Sequence, residues 1–131
     1  MDLALRIIVG AFALLFIFMG VGFLFDPAGS AANVAVTPIG EPGLNTLRGD
    51  MAGLFLGSAV LLLIGIFRRR GEWLLAVAVL MAAIAIGRVV GFALDGNPNP
   101  TTLAAFGFEV VIAAVLLVAA RVLPARAGGP T

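Results

Sequence analysis

Four apolar runs separated by short polar turns constrain this chain more than any other feature. They cover roughly residues 3–25, 44–67, 72–94 and 102–123. A helix needs about 20 apolar residues to cross the hydrocarbon core of a bilayer, so each run is long enough to span one. Together they take up most of the 131 residues and leave no room for a separate soluble domain. Only 11% of the residues are charged and 62% are hydrophobic, whereas a soluble domain carries about a quarter charged residues. The expected fold is a single all-α integral membrane domain, an antiparallel four-helix transmembrane bundle. A long connection over 26–43 and a disordered tail over 124–131 complete it. The first run is longer than the hydrophobic region of an ordinary signal peptide and is expected to be retained as a helix.

What the chain lacks narrows the chemistry. It has no cysteine and no histidine, so thiolate ligands, thiol redox chemistry and the commonest metal ligand are missing. All eight basic residues are arginine, and tyrosine is absent, which removes Schiff-base lysines and tyrosyl roles. No catalytic set, metal site or cofactor fingerprint is present, and none is expected. Carboxylates alone can still do acid–base work, and the sequence leans against an enzyme. The basic residues form no extended patch, and nucleic acid is not an expected partner.

Arginine placement predicts topology. Arg6, Arg68, Arg69, Arg70, Arg121 and Arg126 fall to one side of the bundle, whereas the turns of the other side carry Asp26, Glu41 and Asp95. Cytoplasmic turns are enriched in basic residues, so both termini and the Arg68–Arg70 turn are expected in the cytoplasm of a cell with a cytoplasmic (inner) membrane. The turn reads RRRGEW: the three arginines and Trp73 suit the lipid head-group interface.

The remaining charges lie inside the runs. The stretch LNTLRGDMAGLFLG, residues 44–57, carries Arg48 and Asp50, with Asn45 or Thr46 as expected helix cap. Arg88 lies seven residues before Asp95 and Glu109 seven residues after Thr102, which puts each about 10 Å inside its end of the span. Asp50 is slightly shallower. Thr101 or Thr102 is the expected cap of the fourth helix. Charge inside a membrane is costly and inward-facing, so Arg48, Asp50, Arg88 and Glu109, with Asp95 at the exit of the third run, form the candidate ligand-binding set. Glu109 is expected to pair with Arg88 or Arg48. The two arginines and two carboxylates of the layer cancel, which suits a neutral or zwitterionic head group better than a strong anion. A self-neutralising layer can equally be structural, fixing helix register. Gly49, Gly53, Gly57, Gly87 and Gly91 form small-xxx-small patterns that let helices approach closely.

LNTLRGDMAGLFLG, the RRR turn with its tryptophan, GRVVGFALDG and the FEV of the fourth run together resemble a bacterial membrane family, domain of unknown function 4345. That family looks similar to the DoxX-like group of small four-helix membrane proteins. The resemblance covers about residues 3–123 and implies a four-helix fold in which Arg48, Asp50, Arg88, Asp95 and Glu109 are the family's polar positions. It implies no established activity, although some DoxX-like relatives are associated with quinone-linked oxidoreductases or with assembly of other membrane proteins.

The leading functional expectation is binding of a small amphipathic or lipid-like molecule between the helices, with membrane lipids as the surrounding partners. Two alternatives stand beside it. One is an accessory or assembly subunit that packs through its glycines against another membrane protein or a second copy of itself. The other is a proton-coupled transporter that works as an oligomer.

Overall fold

The computed structural model describes residues 2–96 and 98–122. Within them the chain forms α1 (Asp2–Phe25), α2 (Pro27–Ala32), α3 (Gly40–Thr46), α4 (Ala52–Arg68), α5 (Gly71–Asp95) and α6 (Pro100–Val122), with no strand among the described residues. A π-helical turn, Leu47–Met51, joins α3 to α4. Four helical stretches are long and apolar enough to cross a membrane: Leu3–Phe25, Gly40–Arg68, Gly71–Asp95 and Pro100–Val122. The tail expected over 124–131, with Arg126, lies outside the described residues.

α1 packs against α4 and α5 against α6, while α4–α5 and α1–α6 contacts close the ring. The buried face of α1 runs through Val9, Ala13, Phe16, Gly20 and Phe23. These positions alternate steps of four and three residues, the spacing that keeps one stripe of a helix on its neighbour. α5 offers Leu74, Val77, Ala78 and Met81, and α6 offers Ile112, Leu116 and Ala119, to the same core. Outside that core, large side chains such as Phe18, Phe67, Leu94 and Phe108 stand exposed. An apolar exterior of this extent fits lipid contact and not water.

The glycines that pack are not those of the small-xxx-small patterns. A Cβ at Gly20 would lie 2.6 Å from Leu56 Cγ, one at Gly65 would lie 2.6 Å from Leu74 Cδ2, and one at Gly71 would run into the backbone of Ala120. Around Gly49, Gly53, Gly57 and Gly87 a Cβ meets nothing within 4 Å, and at Gly91 only the Asp95 carboxylate at 3.9 Å. Those five therefore face away from the helix contacts of this chain.

Three helix ends differ from expectation. The second span starts at Gly40, because Pro42 lies in the first turn, where proline forfeits no helical hydrogen bond. Asn45 and Thr46 are thus already helical, and Thr46 Oγ1 donates back to the Pro42 carbonyl at 3.0 Å without capping. α6 starts with Pro100 and is capped by Asn99, whose Oδ1 accepts from Thr102 N at 2.9 Å. Thr102 Oγ1 donates to Asn99 O at 3.0 Å, so neither threonine is the cap. Finally, the connection over 26–43 carries α2, capped by the Asp26 carboxylate on Gly29 N at 3.0 Å. Val36 N donates to Ala31 O at 2.9 Å around Ala35, which takes a left-handed φ of 59°. This closes α2 with the six-to-one bond common at helix C-termini.

Candidate functional site

The α5–α6 interface holds a charge contact in which one N–H is shared between two carboxylate oxygens. Arg88 Nε donates to Glu109 Oε1 at 2.7 Å and to Oε2 at 2.9 Å. The Glu109 side chain is 12% exposed and that of Arg88 28%, so the contact is largely withdrawn from the surface. Near the pair, Phe92 and Phe106 meet edge to face with centroids 5.8 Å apart, a favoured aromatic geometry that adds to helix packing. Arg88 and Phe92 are one turn apart on α5, and Phe106 and Glu109 one turn apart on α6. Side chains at that spacing share a helix face, which is why ion pair and ring pair fall on the same seam.

Arg48 does not join this contact. Its Nε donates to the carbonyl oxygen of Leu24 at 3.1 Å. The last carbonyls of a helix have no intrahelical partner and carry the negative end of its dipole, so the C-terminus of α1 supplies what a carboxylate would otherwise have supplied. Arg48 and Asp50 are both exposed, and both lie in the π-helical turn. Asp50 forms no hydrogen bond or ion pair among the described residues. Asp95 is exposed at the end of α5. The five candidate residues thus divide into a joined pair, Arg88 with Glu109, and three that stand apart from it. At the other turn, Arg70 pairs with Glu72 at 2.5 Å across two exposed side chains, and Arg68 and Arg69 are exposed beside it.

A cavity of about 480 Å³ lies between the helices, and among the described residues Arg88 and Glu109 are the only charged ones in its lining. Its apolar wall includes Phe16 and Met19 of α1, Phe55 of α4 and Met81 of α5. Its polar groups beyond the ion pair are Asn33, from the segment that follows α2, and Thr101 and Thr102 of α6. Small-molecule sites fall at about 300–1,000 Å³ and combine an apolar body with a few fixed polar groups, and this cavity has both attributes.

Sequence reasoning missed Asn33 and the π-helical turn. Asn33 lies in a connection whose path depends on how α2 packs beneath α1, and nothing local marks it. The π turn was better signposted, since Arg48, Gly49 and Asp50 interrupt an otherwise apolar helix. Such one-turn insertions are frequent at functional sites.

Four apolar helices with a largely buried charge pair beside an internal cavity define a small multi-pass membrane protein. Residues 4–120 match the family described as Domain of unknown function (DUF4345), and the chain belongs to that family. No curated protein and no solved structure matches it.

Proposed function

We propose that this protein binds a small amphipathic or lipid-like molecule in the cavity between its helices, with the head group at Arg88 and Glu109 and the apolar part among Phe16, Met19 and Met81. The observation that carries the reading is the coincidence of the two features. A cavity lined by both polar and apolar side chains contains the Arg88–Glu109 contact in its wall. A charge pair serving only to hold α5 on α6 has no need of an adjoining void, since interiors otherwise close-pack.

The experiment is lipid extraction and mass spectrometry of the protein purified in mild detergent, beside an Ala105→Trp variant. Ala105 lines the cavity one helical turn before Glu109, so an indole there fills the void while both charged residues stay in the chain. The wild type is expected to carry a stoichiometric amphiphile that the variant loses. Identical extracts from the two would overturn the proposal.

The same reading places the protein in a bacterial cytoplasmic membrane, with the four spans alternating in direction and the pair in the outer half of the bilayer. The arginine distribution supports this: Arg68, Arg69 and Arg70 occupy the α4–α5 turn, while the turn on either side of it in sequence has no basic residue. Thr37→Cys and Arg69→Cys, each made singly, are to be treated with an impermeant thiol reagent on intact cells. Labelling is expected at position 37 alone; labelling at 69 alone would reverse the topology.

A further inference from the structure

The way Arg88 meets Glu109 says more about the head group. Both bonds from Arg88 to Glu109 use Nε, and neither Nη nitrogen has a hydrogen-bond partner among the described residues. A guanidinium commonly engages oxygen acceptors through these outer nitrogens, two bonds at a time. Asn33 and Thr101 add an amide and a hydroxyl that have no partner among the described residues, whereas the Thr102 hydroxyl is already engaged with Asn99. The polar part of the cavity is thus rich in free donors. Its charge is nonetheless balanced, because Glu109 neutralises Arg88 at 2.7 Å and no third charged residue among those described lines the wall.

Donor-rich and neutral together are selective. Oxygen acceptors on a ligand find N–H groups waiting. A ligand with a net negative charge gains less, because the Glu109 carboxylate beside Arg88 offsets part of the guanidinium's attraction while the ligand gives up its hydration. We infer that the cavity selects amphiphiles whose head group carries oxygen acceptors but no net charge, with the Nη edge of Arg88 as the head-binding group and Glu109 as the residue that sets charge selectivity. This rests on the binding function proposed above and adds the chemical class of the ligand. Zwitterionic phosphodiester lipids and uncharged glycerides share that chemistry, and the test separates them.

The delipidated protein is incubated in detergent with equimolar dioleoylphosphatidylethanolamine, dioleoylphosphatidylglycerol and diolein, and the adducts are counted by native mass spectrometry. Adducts that persist in Ala105→Trp are subtracted as lipids on the outer surface. The wild type is expected to favour a head group without net charge over phosphatidylglycerol by about tenfold, and whichever of the other two dominates identifies the source. Glu109→Gln keeps a carbonyl oxygen for Arg88 Nε but removes the balancing charge. It is expected to shift the ratio toward phosphatidylglycerol by about tenfold or more, the size of one uncompensated charge at a partly desolvated site. Arg88→Lys keeps both charges and loses the forked donors, and is expected to bind all three lipids weakly while unfolding near the wild-type temperature. A wild type that prefers phosphatidylglycerol, or a Glu109→Gln ratio equal to that of the wild type, would overturn the inference and leave the binding function standing. A wild type with no adduct beyond those of Ala105→Trp would overturn both.

Discussion

Arg88→Met alone is expected to destabilise the bundle in detergent by about 3 kcal/mol, and the paired change Arg88→Met with Glu109→Leu to recover most of that loss. The single change leaves the Glu109 carboxylate 12% exposed with no cation beside it, since Arg48 is committed to the Leu24 carbonyl. Breaking a buried pair by removing one partner costs about 3–5 kcal/mol, whereas replacing both by apolar residues of similar size is often neutral or stabilising. The partial exposure of Arg88 argues for the lower end. Thermal unfolding of the wild type, both single variants and the double variant closes a mutant cycle whose coupling term reports the contact directly. Singles that unfold at the wild-type temperature would mean that the two side chains are not partners.

The second large effect concerns glycine. Gly71→Ala is expected to cost about 3 kcal/mol, whereas Gly53→Ala is expected to be neutral or to stabilise by as much as about 1 kcal/mol. At Gly71 a Cβ collides with the carbonyl of Ala120, and because the obstacle is backbone, α5 and α6 must separate to admit it. Overpacking of this kind typically costs about 1–3 kcal/mol. At Gly53 a Cβ meets nothing within 4 Å, and alanine is the better helix former by about 1 kcal/mol. Unfolding temperatures of the two variants, measured side by side in the same detergent, provide the check. Equal losses would contradict the helix packing described above.

That contrast shows where sequence reasoning reaches and where it stops. The pairing of Glu109 with an arginine of a neighbouring helix was legible, because helix rise is fixed and Arg88 and Glu109 lie equally far from polar turns. The four spans were legible for the same reason: length and apolarity suffice to mark them. The inward face of each span was not. In a soluble bundle an apolar stripe reveals the core, but here Phe18, Val60 and Leu94 are as apolar as the buried side chains and are exposed. The periodicity that would pick out Val9, Ala13 and Phe16 is therefore erased, and glycine spacing proved no substitute for it.

The partner of Arg48 was illegible for a different reason. A carboxylate can be found by scanning a sequence, but the Leu24 carbonyl is one of many identical backbone groups and becomes special only because α1 ends there. The cap of α6 was within reach. Asn99 immediately precedes Pro100, and asparagine before a proline at the first helical position is a strong start signal. The threonines that follow drew attention from it. Asn33 and the cavity it helps to line needed the tertiary structure, since α1, α4, α5 and α6 all contribute to the wall.

The measurement that bears most directly on the account is native mass spectrometry of the wild type and the Arg88→Met/Glu109→Leu double variant, each released from mild detergent. The double variant is expected to keep most of the stability while losing the groups that orient a head group. A stable double variant stripped of the small molecule that the wild type carries is the predicted result. The same co-purified molecule on both proteins, at the same occupancy, would show that the charge pair only fastens α5 to α6 and would contradict the binding function.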